Sequence, residues 1–174
     1  MLILGIDPGT ATTGYGLIKT DHDDMQLIDK GRIDTDKDGE PHNRLAEIYK
    51  QVLVVLKKHS PDVMAIEKIF FATNAKTAIR VGQAQGVFLL AAAHSKIAVF
   101  EYAPMQIKSV VTGDGRADKK VMQEVIKKAF NIEAPPKQKT HFNDVCDGIA
   151  VAVCHAKMSN GYTKPKKVKK TKGR

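Results

Sequence analysis

The 174-residue chain has no run of about 18 apolar residues, which excludes a membrane-spanning helix. Cysteine is scarce too. Cys146 and Cys154 lie eight apart in one predicted helix, about 12 Å along its axis, too far for a bridge. A disulfide scaffold is excluded, and a reducing, cytoplasmic setting is expected. The opening MLILGIDPG has no basic n-region and is not expected to be a secretory signal. No internal repeat is visible. Acid is missing from the end of the chain, where KPKKVKKTKGR (164–174) carries seven basic residues and none of the opposite sign.

That tail accounts for most of the net charge of +9. Without it, 21 basic residues face 19 acidic ones, so net charge alone says little about the body. The body is uneven, however. Residues 21–40 hold eight acids and three bases, whereas residues 41–163 hold seventeen bases and ten acids. Such asymmetry suits a polyanion bound on one side, although any single charge run also serves as a solvated face. With 43% hydrophobic residues, one domain over 1–160 can bury roughly 70% of its unfolded surface. The basic tail over 161–174 has too little apolar content to fold alone.

The patterning predicts a mixed α/β domain. LILGID and GYGLIKT read as strands joined by PGTATT, and MQLIDKGRIDT alternates as a third, completing an antiparallel meander. Residues 41–60 carry an apolar stripe of Leu45, Ile48, Val52 and Leu56, which predicts a helix. DVMAIE (62–67) and IAVFEY (97–102) read as buried strands on either side of a long helix over 74–95, with Asn74 as its cap. Shorter helices over 104–111 and 118–130 follow. PPKQKT (135–140) is an extended linker, and FNDVCDGIAVAVCHAKM is the last helix. Crossover connections make the two later strands parallel, giving a five-stranded sheet with three antiparallel strands, then two parallel, flanked by helices.

Four carboxylates stand out by placement. Asp7 and Glu67 each end a strand, and Asp144 and Asp147 lie three apart at the start of the last helix. Sites in open α/β sheets tend to lie beyond the carboxyl ends of parallel strands. Clustered carboxylates need a compensating cation, and all-oxygen donors suit Mg²⁺ or Mn²⁺. Two such ions about 4 Å apart can activate water for phosphodiester cleavage. Each acid also has a plain reading. Asp7-Pro8-Gly9 is good turn chemistry, Glu67 can face water, and the other two favour the positive end of a helix dipole. Their joint placement favours the metal site.

At these residues the sequence resembles the RuvC Holliday-junction resolvases of the ribonuclease H-like nucleases. ILGIDPGTATTGYGLI, AIEKIFFATNAKTAIRVGQAQG, VFEYAPMQIKSVVTGDGRADKKVM and NDVCDGIAVAVCHA are similar to the family's segments in the same order, covering about residues 2–158. The resemblance implies a ribonuclease H-like fold and a nuclease domain over 1–160. It implies that Asp7, Glu67, Asp144 and Asp147 are the catalytic and metal-binding set, with two Mg²⁺ per site, replaceable by Mn²⁺. A homodimer would nick two opposed strands of a four-way DNA junction through metal-activated water, leaving 5′-phosphates. A branch-migration motor and its junction-binding partner would accompany it.

The resemblance also puts Phe70 or Phe71 against an unpaired base, where stacking is available to an aromatic loop residue. It makes Lys76, Arg80, Lys108, Lys119 and Lys120 phosphate contacts, with Lys108 or Lys119 near the metals. The long helix, with Gly82 and Gly86, would lie at the dimer interface. Gly148, costly within a helix, would allow close approach beside the metals. His141 is read as structural, and His155 beside Cys154 makes no zinc pattern.

Three rivals keep parts of this reading. GIDPGTATTGYGL also resembles the phosphate-binding hairpin of actin-fold phosphotransferases, which need a second such domain. Another ribonuclease H-like nuclease, acting on RNA–DNA hybrids, would use the same acids. A silent junction-binding module would not need all four.

Overall fold

The computed structural model describes residues 1–21, 24–69, 75–134 and 139–161, without side chains at 139–141. Strands β1 (Leu2–Asp7), β2 (Thr12–Asp21) and β3 (Asp24–Asp34) form the meander. Then follow α1 (Pro41–His59), β4 (Val63–Glu67), α2 (Ala75–His94), β5 (Ala98–Tyr102), α3 (Pro104–Thr112), α4 (Lys119–Phe130) and α5 (Lys139–Ser159). The sheet order is β3-β2-β1-β4-β5, with β4 parallel to both β1 and β5. This is the mixed sheet that the patterning predicts. Among the described residues no helix is long and apolar enough to cross a membrane.

The sheet separates two cores, and the strand period of two decides which residue serves which. Leu4 and Ile6 of β1, with Met64 and Ile66 of β4, pack under α1 and α2 against Ile48, Val52, Leu56 and Phe88. Ile3 and Ala65 face the other way, toward α3, α4 and α5. Asp7 is in phase with Ile3, and Glu67 with Ala65. Both acids therefore aim at the α5 side of the sheet.

α5 lies on that side with almost nothing between its backbone and the strands. A Cβ at Gly14 would overlap the carbonyl of Asp144, and one at Gly5 would overlap that of Gly148. A Cβ at Gly148 would in turn stand 2.6 Å from the backbone of Gly14. Glycines on both partners form a seam that lets helix and sheet meet backbone to backbone. This is the close approach expected at Gly148.

Three local expectations need correction. β5 is not buried. It is the sheet's edge strand, with Phe100 44% exposed and only Tyr102 enclosed. An apolar run reads alike in a central or an edge strand, because burial depends on the neighbours. The last helix begins at Lys139, inside the stretch expected as linker, so Asp144 and Asp147 lie beyond its first turn. The first turn holds no acid, and a helix-dipole role for the pair falls away. Asn74 and the basic tail from residue 162 on lie outside the described residues. Cys146 and Cys154 are free and buried, as their spacing requires.

Candidate active site

The turn after β1 fixes the first acid. The Thr13 hydroxyl, fully buried, donates to the Gly9 carbonyl at 2.9 Å and accepts from the Gly9 amide at 3.1 Å. One side chain thus closes the turn over 9–13 from both ends and holds the backbone after Asp7. β1 and β4 are in register through Ile6 and Ile66, so Asp7 and Glu67 follow side by side as the next pair. Their carboxyl groups are close enough for each to act on the other.

Burial pushes the Asp7 carboxyl well above the usual range, and the Glu67 charge pushes it further. Burial also raises Glu67 and outweighs the lowering from Asp7, Lys119 and Lys108. Two neighbouring buried carboxyls favour a proton or a cation beside them, because the doubly ionised pair repels itself.

Asp147 enters from α5, its side chain only 2% exposed. The Lys119 ammonium of α4 reaches it at 2.7 Å and lies 3.9 Å from Asp7. Gln123 donates to the two Asp147 oxygens at 3.1 and 3.4 Å. Burial raises Asp147, and Lys119 and Gln123 offset part of that rise. Lys119 feels the reverse. Burial works against its charge, but Asp147, Asp7 and Glu67 outweigh it and raise its pKa.

Asp7, Glu67 and Asp147 are therefore brought together around one ammonium, with Lys108 contributing charge beside Glu67. Asp144, half-buried one turn before Asp147, acts on that neighbour. Among the described residues no three acids close into a finished ligand shell, and Lys119 stands between Asp7 and Asp147. The donor set fits a hard cation nonetheless. It is all carboxylate oxygen, partly buried and in excess of its counter-charge.

The remaining candidates divide. Lys76 and Arg80 are exposed on the first turns of α2. Lys120 is exposed about 100° further round α4 than Lys119. Phe70, Phe71 and the side chain of His141 lie outside the described residues. His155 is buried against the Tyr102 hydroxyl at 2.7 Å, a core pair. Gln123 is the site residue that sequence reasoning missed. It sits four positions after Lys119 on α4 and so shares its face, the one signal that pointed to it.

Comparisons with known proteins fit this geometry. The family model described as crossover junction endodeoxyribonuclease RuvC matches residues 3–155. The crossover junction endodeoxyribonuclease RuvC of Alkaliphilus oremlandii is 43% identical over 169 residues, covering 97% of this chain and all of the relative. That of Alkaliphilus metalliredigens is 46% identical over 156 residues, covering 90% of this chain and 93% of the relative. Among solved structures, Thermus thermophilus RuvC in complex with a Holliday junction substrate matches with a TM-score of 0.81 and 28% identity. That match covers 92% of this chain and 95% of the other. The yeast mitochondrial Holliday junction resolvase shares the fold, with a TM-score of 0.59 at 16% identity and coverage of 88% and 78%.

Proposed function

Because the chain belongs to the crossover junction endodeoxyribonuclease RuvC family, we propose that Asp7, Glu67, Asp144 and Asp147 are the acids with which it cuts DNA. The protein is a junction-resolving endodeoxyribonuclease, and its substrate is the four-way Holliday junction of recombination and repair. One observation carries the residue assignment. Two acids end neighbouring parallel strands side by side, and one lysine reaches from the first of them to a third, buried carboxylate.

Asp7, Glu67 and Asp147 would hold Mg²⁺, or Mn²⁺ in its place, with Asp144 completing the set and two ions per site. The metal supplies Lewis-acid charge that makes a water nucleophilic and stabilises the leaving oxygen. The chain's own groups do the rest. Asp7 and Glu67, side by side at the ends of β1 and β4, would hold the cation in their ionised forms. Gln123 orients Asp147 through both carboxylate oxygens. Lys119 and Lys108 bring positive charge to the place where charge builds on the phosphate.

Symmetric nicking of two strands calls for two sites related by a two-fold axis. α2 offers the surface for a homodimer. Among the described residues nothing lies within 4 Å of where a Cβ at Gly86 would stand, and Leu89 and Leu90 are 38% and 50% exposed. A Cβ at Gly82 would meet Ile69 at 3.4 Å. Phe70 or Phe71 stacks on DNA, and Lys120 adds a phosphate contact. The protein works in the cytoplasm beside a branch-migration motor and its junction-binding partner.

The test offers the purified protein a mobile four-way junction, a linear duplex and an RNA–DNA hybrid, each with Mg²⁺, beside Asp7→Asn. Paired nicks in the junction alone, lost in the variant by at least about 10³-fold, are expected, since the acid is needed for the chemistry. Cleavage of the hybrid instead would retain the metal site and discard the junction as substrate. Full activity in the variant would remove Asp7 from the chemistry.

A further inference from the structure

A groove of about 450 Å³ opens next to the turn after β1, between the β3–α1 connection and the first turns of α2. Four cations line it. Lys37 comes from the connection, Arg44 from α1, and Lys76 and Arg80 from α2. Thr10 of the turn and the exposed Ile79 complete the wall. Among the described residues no acid lines the groove, although the connection is rich in them. Of residues 34–40, Asp34, Asp36, Asp38 and Glu40 all stay out, whereas Lys37 turns in.

Arg44 is held in place before any ligand arrives. Its Nε donates to the Thr35 hydroxyl at 3.1 Å, and Nη1 reaches the Lys37 carbonyl at 3.5 Å. The Thr35 hydroxyl in turn donates to the Thr10 carbonyl at 2.6 Å. The guanidinium is thus tied through Thr35 to the loop that carries Thr10, three residues from Asp7. A fork fixed in this way binds phosphate with less ordering cost than a free side chain.

We propose that this groove is a phosphate track, in which Lys37 and Arg44 form one bank and Lys76 and Arg80 the other. It grips the sugar-phosphate backbone of a DNA strand on its way to the site at Asp7. The inference rests on the proposed junction substrate and adds to it a wall that Lys76 and Arg80 alone do not make. A polymer suits the groove better than a free nucleotide. A small-molecule pocket buries most of its ligand, whereas Lys37, Lys76 and Arg80 are all exposed. Ile79, 62% exposed, offers an apolar surface to deoxyribose.

The test measures equilibrium binding to a four-way junction and to linear duplex across a salt series, with EDTA present so that no strand is cut. The full chain is compared with Lys37→Gln, Arg44→Gln, Arg44→Lys and Lys96→Gln. Lys96 follows the far end of α2, about 30 Å from Lys76 along the helix, and serves as the control. Each lost phosphate contact lowers the slope of log affinity against log salt by about one. The expected result is that drop for Lys37→Gln and for Arg44→Gln on both DNAs. Arg44→Lys recovers part of the slope, and Lys96→Gln leaves it unchanged.

Thermal melting separates lost contacts from lost folding in the Arg44 variants. The Lys37 side chain is exposed and donates no hydrogen bond among the described residues, so its result stands in either case. Unchanged slopes for Lys37→Gln and Arg44→Lys would overturn the track. Equal affinity of the parent chain for junction and duplex would count against the junction as substrate and leave the slopes to decide the track. Tight binding of a free deoxynucleotide, lost in Lys37→Gln, would replace the track with a small-ligand site.

Discussion

Asp7 owes its chemistry to the company it keeps. The residue ends a strand, as many turn aspartates do, but the strand phase aims it at α5 and the register sets it against Glu67. Asp7, Glu67 and Asp147 all have carboxyls raised by burial. A carboxyl raised in the folded state binds more protons folded than unfolded. Stability therefore falls as pH climbs from the unfolded value near about 4 through the raised native values. With EDTA present, the melting midpoint is expected to be higher near pH 5 than near pH 8. Asp7→Asn removes one charge from the cluster. It is expected to flatten that dependence and raise the midpoint near pH 8, by about 2–4 °C for each kcal/mol of repulsion relieved. A variant that melts lower than the parent at every pH would show that the Asp7 charge stabilises the fold. Lys119 is the other residue that the fold defines. The resemblance puts Lys108 or Lys119 near the metals, and the crossing of α4 over α5 sends Lys119 to Asp147 and its neighbour outward.

The elements themselves were largely legible. The order of strands and helices follows from period-two and period-3.6 patterns, and nearly every boundary falls within two residues of where those patterns end. What stayed hidden is what depends on neighbours. β5 reads as a core strand because its letters are apolar, yet it has a strand on one side only. The patterning places the start of α5 late, because Lys139 to His141 carry no apolar signal. Glycines 5, 14 and 16 look like ordinary strand glycines, and only their partner helix gives them a purpose. Gly14→Ala tests that purpose. An added methyl group meets the Asp144 backbone, so α5 must shift. The expected cost is about 1–3 kcal/mol, read as a lower midpoint of denaturant unfolding. Cleavage is expected to fall further than stability predicts, because the shift displaces Asp144 and Asp147. A variant of parental stability and activity would mean that the seam yields without moving its acids.

Two sites act as a pair only if two copies meet, and the exposed face of α2 is where the molecule has surface to offer. Leu90 is half exposed and supports no core, so Leu90→Glu is expected to leave the fold intact. It is expected to convert a dimer to a monomer by light scattering and to uncouple the two nicks in a junction. A dimer that survives would move the interface elsewhere, the open edge of β5 being the next surface to try. Charge divides the chain as well: residues 21–40 are rich in acid, whereas the exposed Lys119 and Lys120 flank the site, an asymmetry that suits a polyanion bound on one side.

The glycine seam also bears on how the molecule opens. At Gly5, Gly14 and Gly148, helix α5 meets β1 and β2 backbone to backbone, so no loosening by rotamer change is available at those points. In amide exchange, the protons of β1 and of the middle of α5 should be lost together, and only through the global opening. The acids at the end of β1 and on α5 would then be no more mobile than the slowest-exchanging part of the chain. Whatever must move to admit a junction is left to the basic rim and the loops that carry it.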